Sequence, residues 1–516
     1  MDMIMAGDAN KIKAWYSATQ LQIVAESYFQ DINFDFSNTD AVVGVLRRGN
    51  TPPNSAPDQY VRMTPQQVTA FLGRYEIVDQ LPNTSSGFSA TLIRERETGR
   101  YTLAFRSTEW KNASKGGDFE RDGYDGAGGE LFSVGFAFGQ LRDMEWYLSE
   151  MKAGRLATGN TAANGAAIAA QLTSGTIDLT GYSLGAHMAT VFTELHPELV
   201  GQTIVFNAAG RGAILKKTES TFGATERQML ERFERILLEP RAGSGFGALP
   251  FAKRMQVLGA SVPGQGVAGA NIYQNRRYLW AVEATAAEFR TQGFGISGNS
   301  DERARSMDAL AHAKITQLYG HATHGDAEAT ANAGVHAPAR SIFIEDQPDV
   351  EGTPKLPFAP KLTGNLLGFI FDGDFYNTHS LTLVVDSLAV MNAFMQADGN
   401  LTQREAESIL AAASNQRAQT SVPKGAPLAA EGDSLERALD GLRKLVNPQG
   451  FSPTGFDPKA GGFGDSAVRE RFHANVNSLL AQLSGPPAVT MRITPLVPTS
   501  QFKINGEPLD SGPMIH

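Results

Sequence analysis

Ile177-Asp178-Leu179-Thr180-Gly181-Tyr182-Ser183-Leu184-Gly185 is the stretch on which the reading of this chain turns. Its first four residues are a short strand-like run, and the last five have the pattern G-x-S-x-G. Gly185 to His196 then has helical character and stops at Pro197, and Thr203-Ile204-Val205-Phe206-Asn207 reads as the next strand. Strand, sharp turn, helix and strand make a βαβ unit, which predicts an α/β fold with a largely parallel central sheet. Glycines on both sides of Ser183 let the chain turn tightly enough to project the hydroxyl from the sheet edge, so Ser183 is the expected nucleophile. The plain alternative is an ordinary turn serine.

Upstream, about Ala9 to Gln30 reads as a helix carrying Trp15, Leu21, Ile23, Val24, Tyr28 and Phe29. Pro52, Pro53 and Pro57 mark a loop, and Thr64-Pro65-Gln66-Gln67 starts a second helix with proline in its first turn. From Phe88 the period changes to two. Ser89–Arg94 and Tyr101–Arg106 flank Glu97-Thr98-Gly99 as a hairpin, and Phe136 to Met151 follows as an amphipathic helix.

Downstream, the stretch from Gly210 to about Asp301 is polar and helical in pattern. Its length between two strands predicts a cap or lid rather than a bare loop. Strand-like runs resume at Ile315 to Tyr319 and Ser341 to Ile344. After His379 come an apolar helix, Ser380 to Met395, and amphipathic stretches near Thr402–Ala418, Asp433–Leu445 and Ala467–Leu483. A last strand-like piece spans Val489 to Pro495, and no internal repeat at a fixed period is evident.

Composition narrows the function classes. The 516 residues are 42% hydrophobic and 19% charged, ordinary for a globular chain with a large core. A net charge of -9 supplies no field to attract nucleic acid or an anionic membrane. The absence of cysteine excludes disulfides, thiolate metal sites and cysteine nucleophiles. The first residues lack a basic region followed by an apolar one, so no cleavable signal peptide is expected, and no apolar run approaches the roughly 18 to 20 residues of a membrane span. The expectation is a soluble protein, either cytoplasmic or, in a bacterium, secreted by a signal-peptide-independent route.

A serine nucleophile needs a base, a carboxylate to orient that base, and N–H donors for the oxyanion. His187 lies on the same helix as Ser183 and cannot turn back over the hydroxyl, so it reads as a packed helix residue. In a strand-elbow-helix site the partners follow in the order serine, acid, histidine. His379, on a polar loop before the apolar helix, is the expected base, with His336 the alternative. Asp326 and Asp346 follow successive strand-like runs, and spacing alone does not choose between them. His321, His324 and Asp326 invite a metal reading, but their spacing is not that of a helical H-x-x-x-H site. Asp118, Asp122, Asp125 and Glu130 lack the ligand spacing of a calcium loop. No metal and no cofactor is expected, and structural calcium has no support.

These residues resemble the lipase-like α/β hydrolases, a group that includes class 3 lipases, secreted bacterial lipases and the lipase domains of RTX toxins. Leu103-Ala104-Phe105-Arg106-Ser107-Thr108 is similar to the family strand ending in F-R-G-[ST]. Gly181 to His187 is similar to G-H-S-L-G-[GA]-H, and Thr203 to Gly210 to the block that follows. The resemblance implies the α/β-hydrolase fold, an oxyanion hole from Thr108 and the backbone of Leu184, and Asp326 rather than Asp346 as the acid. Ser107 departs from the family glycine and Tyr182 from the family histidine, and the glycine-rich calcium repeats of the secreted lipases are missing.

The resemblance covers about Phe88 to Met395. It divides the chain into an N-terminal helical segment 1–85, a catalytic domain 86–395 with a cap at about 211–301, and a mainly helical segment 396–516. The expected activity is a lipase-like or phospholipase A-like ester hydrolase acting through an acyl-enzyme, on a lipid or other ester substrate and in transient contact with a lipid surface. A polyester or thioester hydrolase, or a non-enzymatic effector or scaffold that keeps the fold, are the alternatives.

Overall fold

Seven strands build the central sheet of the computed structural model: β1 (Tyr75–Leu81), β2 (Ala90–Glu95), β3 (Tyr101–Phe105), β4 (Ile177–Tyr182), β5 (Val200–Phe206), β8 (Ile315–His321) and β9 (Ala339–Phe343). The residues described are 2–51, 61–84, 86–108, 136–158, 162–211, 213–216, 294–297, 311, 313–321, 339–344, 381–413, 434–454, 466–484, 491–493, 503–504 and 507–508. The strands lie in the order β1-β2-β3-β4-β5-β8-β9. β1 and β3 each run antiparallel to β2, and β3, β4, β5, β8 and β9 are parallel to one another. The sheet is therefore mixed and mostly parallel, with helices on both faces, as the α/β reading expected.

Period-two alternation sends neighbouring residues to opposite faces. Leu103 and Phe105 of β3, Leu179 of β4 and Val205 of β5 pack with helices α4 (Phe138–Lys152), α5 (Ala162–Ser174) and α6 (Leu184–Leu195). On the other face, Ala104, Ile204, Phe206 and Leu318 pack with α1 (Asp2–Glu26) and α7 (Leu381–Ala397). Outside these lie α2 (Thr39–Arg48), α3 (Pro65–Arg74), α8 (Gln403–Ala413), α9 (Ser434–Val446) and α10 (Ser466–Ser484). The N-terminal and C-terminal helices thus share one layer, and α1 packs directly on α7. Among the described residues no helix is long and apolar enough to cross a membrane.

Local signals account for the element ends. Thr64 caps α3 through a capping box with Gln67, with Pro65 in the first turn. Pro197 closes the segment after α6. β1 is an edge strand, and its Asp79 carboxylate accepts from Tyr147 O–H at 2.6 Å and from the Ala157 and Thr158 N–H groups at 2.9 and 2.6 Å. Loop 157–158 thereby covers an edge that is otherwise open to pairing.

Several elements depart from the sequence reading. The strands begin at Tyr75, before the period change at Phe88, because Ile77-Val78-Asp79 is interrupted by a buried aspartate that breaks the apolar alternation. Helices Thr39–Arg48 and Ala162–Ser174 were not expected; the second is built largely of alanine, which has high helix propensity but a weak apolar stripe. The strand expected at Val489–Pro495 is absent at 491–493. There the Met491 and Ile493 N–H groups bond to the Ala397 carbonyl and the Asp398 carboxylate instead of to a strand. The long insertion also does not begin as helix: β6 (Ala213–Lys216) and β7 (Phe294–Ser297) form an antiparallel ribbon, so its two ends lie side by side. Residues 217–293 and 298–310 lie outside the described residues.

A buried polar cluster ties α10 to α7. Asp386 accepts two bonds from Arg469, both 2.9 Å, and one from His473 Nε2–H at 2.7 Å. Burial alone pushes the Asp386 carboxyl up, but Arg469 and His473 together outweigh it and lower its pKa to about 2. Burial lowers the His473 pKa more than Asp386 raises it. Both pKa values are lower in the folded chain than in the unfolded one. The unfolded chain therefore takes up more protons as pH falls, and stability declines on acidification. Asp386→Asn is expected to cost about 3 kcal/mol near neutral pH by weakening the contacts to Arg469 and His473. In denaturant titrations that cost should shrink as pH falls from 3.8 toward 2, the window between the carboxyl pKa of the unfolded chain and that of the folded one. A cost that stays constant through this window would contradict the assignment.

Candidate functional site

The link between β4 and α6 is an elbow. Ser183 has φ 54° and ψ −117°, a conformation that L-residues other than glycine rarely hold. Its N–H donates to the Phe206 carbonyl of β5 at 3.1 Å, and its own carbonyl accepts from Ala186 N–H at 3.1 Å and Ala209 N–H at 3.2 Å. The serine is partly exposed, whereas every residue of α6 after it is buried.

Two close approaches make the flanking glycines necessary. A Cβ on Gly181 would lie 2.2 Å from the Gly185 carbonyl oxygen, and one on Gly185 would lie 2.2 Å from the Phe105 carbonyl oxygen. Both distances are far inside contact, and both partners are backbone. The missing side chains thus let the start of α6 rest against the end of β3. The register Phe105↔Gly181 in the parallel pair brings the same two segments level. Leu184, the first residue of α6, follows Ser183 directly, and Thr108 lies three residues past Phe105 in the chain. Leu184 N–H belongs to the first helical turn, whose donors have no partner within the helix and favour negative charge.

The loop that follows β3 is held from behind by α1. Ser107 N–H donates to Glu26 Oε1 at 3.0 Å, and Ser107 O–H donates to Glu26 Oε2 at 2.7 Å. Gln22 Nε2–H bridges Glu26 Oε1 at 2.7 Å and the Phe105 carbonyl at 2.8 Å. Arg106 Nη2 donates to the Glu26 and Ser27 carbonyls at 2.9 and 3.0 Å, and the Arg106 Cζ lies 4.7 Å from the Tyr28 ring centre. Burial raises the Glu26 pKa; the Arg106 charge and the bonds from Ser107 and Gln22 pull the other way without cancelling it. The serine that stands where the resembled family has glycine therefore has a use, since its hydroxyl binds this carboxylate.

Tyr182, before the nucleophile, reaches the other side of the site. Burial of its ring and the Glu26 charge raise the phenol's pKa, and a hydrogen bond from the Leu381 backbone N–H lowers it. Leu381 is the first residue of α7, so the helix that follows His379 by two positions begins beside the elbow. The parallel directions of β3, β4, β5, β8 and β9 put their carboxyl ends on one edge of the sheet. Asn207 ties two of these ends together: its Oδ1 accepts from Gly320 N–H at 2.9 Å. Chain leaves that edge after His321 of β8 toward Asp326 and after Phe343 of β9 toward Asp346. Asp326, His336, Asp346 and His379 themselves lie outside the described residues, as do His324 and the acidic run from Asp118 to Glu130. Among the described residues no group of three or more metal-ligating side chains comes together.

His187 is packed, as expected. It is fully buried, its Nδ1–H donates to the Gly210 carbonyl at 2.6 Å, and its Nε2 accepts from Ala137 N–H at 3.2 Å. Seven residues along the same helix, Glu194 forms a fully buried, two-pronged ion pair with Arg211. Gly210 and Arg211 open the long insertion, so the nucleophile helix anchors its root.

Sequence reading missed Glu26, Gln22 and Arg106 as parts of this site. The one visible signal was Gln22 and Glu26 at helical i,i+4 spacing within the mainly apolar last turns of the first helix. Set against known proteins, the chain matches no family model, no curated protein and no solved structure.

The positive φ at Ser183 makes a specific stability prediction. Ser183→Gly should be more stable than Ser183→Ala by about 1 kcal/mol, because only glycine relaxes in that conformation. Paired denaturant unfolding curves measure the difference, and an alanine variant at least as stable as the glycine variant would argue against the strained elbow.

Proposed function

We propose that this chain is a serine hydrolase of carboxylic esters with an α/β-hydrolase type of fold, lipase-like or phospholipase A-like in its chemistry. The observation that carries the reading is the elbow: a partly exposed serine at positive φ between a parallel strand and a helix, its two glycines packed so that the end of β3 lies beside it. A turn serine with no chemical task has no need of this strain. The start of α7 beside Tyr182 supports His379 as the base, and the shared carboxyl edge supports an acid after β8 or β9.

In the proposed reaction His379 removes the Ser183 proton as Oγ attacks the ester carbonyl carbon, and Asp326 orients the imidazole. The Thr108 and Leu184 N–H groups receive the charge on the carbonyl oxygen. His379 returns the proton to the departing alcohol, leaving Ser183 acylated. Water, deprotonated by the same histidine, then attacks the acyl-enzyme and releases the acid and the free serine. Asp346 and His336 stand as the alternative acid and base. The insertion between the β6 and β7 ribbon is the proposed lid over an acyl pocket, and a lipid aggregate is the proposed substrate surface. No cofactor enters this chemistry.

A fluorophosphonate probe should label the wild-type protein and leave Ser183→Ala unlabelled; equal labelling of the two would refute the nucleophile. His379→Ala should lower kcat for p-nitrophenyl esters by at least about 1,000-fold, and Asp326→Asn should do so more than Asp346→Asn. Turnover of octanoyl over acetyl esters is the lipase expectation, and a sharp preference for acetyl would refute the lipid assignment. A wild-type protein that neither labels nor turns over any ester would point instead to a non-enzymatic scaffold.

A further inference from the structure

We infer that Glu26, in the N-terminal helix, is a positioning residue for the oxyanion loop; the inference rests on the hydrolase reading of Ser183, Thr108 and Leu184. The donor that matters in that reading is the Thr108 N–H, which belongs to the peptide joining Ser107 to Thr108. Rotation about the Ser107 backbone turns this N–H toward or away from Ser183. Glu26 removes that freedom at two points, because one carboxylate oxygen takes the Ser107 N–H and the other takes the Ser107 hydroxyl.

The carboxylate is itself fixed. Gln22, one helical turn earlier, donates to Glu26 and to the Phe105 carbonyl with one amide nitrogen, locking α1 to the last residue of β3. Phe105 is also the residue whose carbonyl faces Gly185. One contact chain therefore runs from Glu26 through β3 to the first turn of the nucleophile helix, and both oxyanion donors hang from it. Arg106, with its guanidinium held on the Glu26 and Ser27 carbonyls, pulls against the upward push of burial on the Glu26 pKa.

In Glu26→Gln the side chain keeps its shape: its amide oxygen accepts from the Ser107 N–H, and its amide N–H donates to the Ser107 hydroxyl, which accepts as well as donates. Glu26→Ala removes both contacts. Glu26→Gln is therefore expected to work better than Glu26→Ala.

The test measures kcat and KM on a p-nitrophenyl ester together with the rate of fluorophosphonate labelling at Ser183. Glu26→Ala is expected to lower kcat and the labelling rate about 10- to 100-fold with KM within about twofold, and Glu26→Gln should keep kcat about tenfold above that of Glu26→Ala. Unchanged kcat in Glu26→Ala would overturn the inference, as would a Glu26→Gln variant no faster than Glu26→Ala. If Glu26→Ala fails to fold, Ser107→Ala carries the test. It removes one clamp bond and should lower kcat about threefold or more at constant KM; full activity would overturn the inference. An active, labelled wild type beside insensitive variants sinks this inference alone, whereas a wild type without turnover or labelling sinks the hydrolase reading beneath it.

Discussion

The approach of the Gly185 backbone to the carbonyls of Phe105 and Arg106 is the constraint on which the site depends. It is possible only because two side chains are reduced to hydrogen and because Ser183 accepts a φ that costs of order 1 to 3 kcal/mol. The cost is met by what surrounds it. The Ser183 peptide groups bond to Phe206 and Ala209, and α6 is buried along its whole length against β3, β4 and β5. A helix held on all sides does not relax to relieve one strained residue at its start. The strain is thus a property of the packed sheet and helix together.

The same helix organises the edge of the site through polar groups. His187 holds loop residues 137 and 210, and Glu194 holds Arg211, so the entry to the long insertion is pinned to the element that presents the serine. On the opposite face the arrangement is repeated in other chemistry. Glu26 grips the loop after β3, and Asp386 grips α10 through Arg469 and His473. Each of these buried carboxylates is met by hydrogen-bond donors, which is the condition for leaving a charge inside a protein. The first and last parts of the chain share this layer, and α1 meets both α7 and the β3 strand end.

Much of the fold was legible because it is written in local patterns. The βαβ unit around Ser183 announced itself through a strand run, two glycines, a helical stretch and Pro197, and the hairpin of β2 and β3 through period two around Glu97-Thr98-Gly99. β1 was not legible, since buried Asp79 sits where an apolar residue was looked for, and its reason is a loop 78 residues away. The alanine-rich helix Ala162–Ser174 was missed because alanine signals helix without signalling a face. The clamp at Glu26 was hidden for a different reason. Nothing in residues 22 to 26 refers to Ser107, and the two meet only after the sheet forms, 81 positions apart in the chain.

What the sequence by itself determined is the order of elements around the elbow and the identity of the residue at its tip, because turn sterics and strand and helix periodicity act over a few neighbours. What only the tertiary structure decided is how that serine is surrounded. The strand order, the contact of Gly185 with Phe105, the carboxylate behind Ser107 and the start of α7 at Tyr182 all join segments far apart in sequence. Such contacts arise from packing and from the need to satisfy buried polar groups, which depend on partners that no local stretch contains.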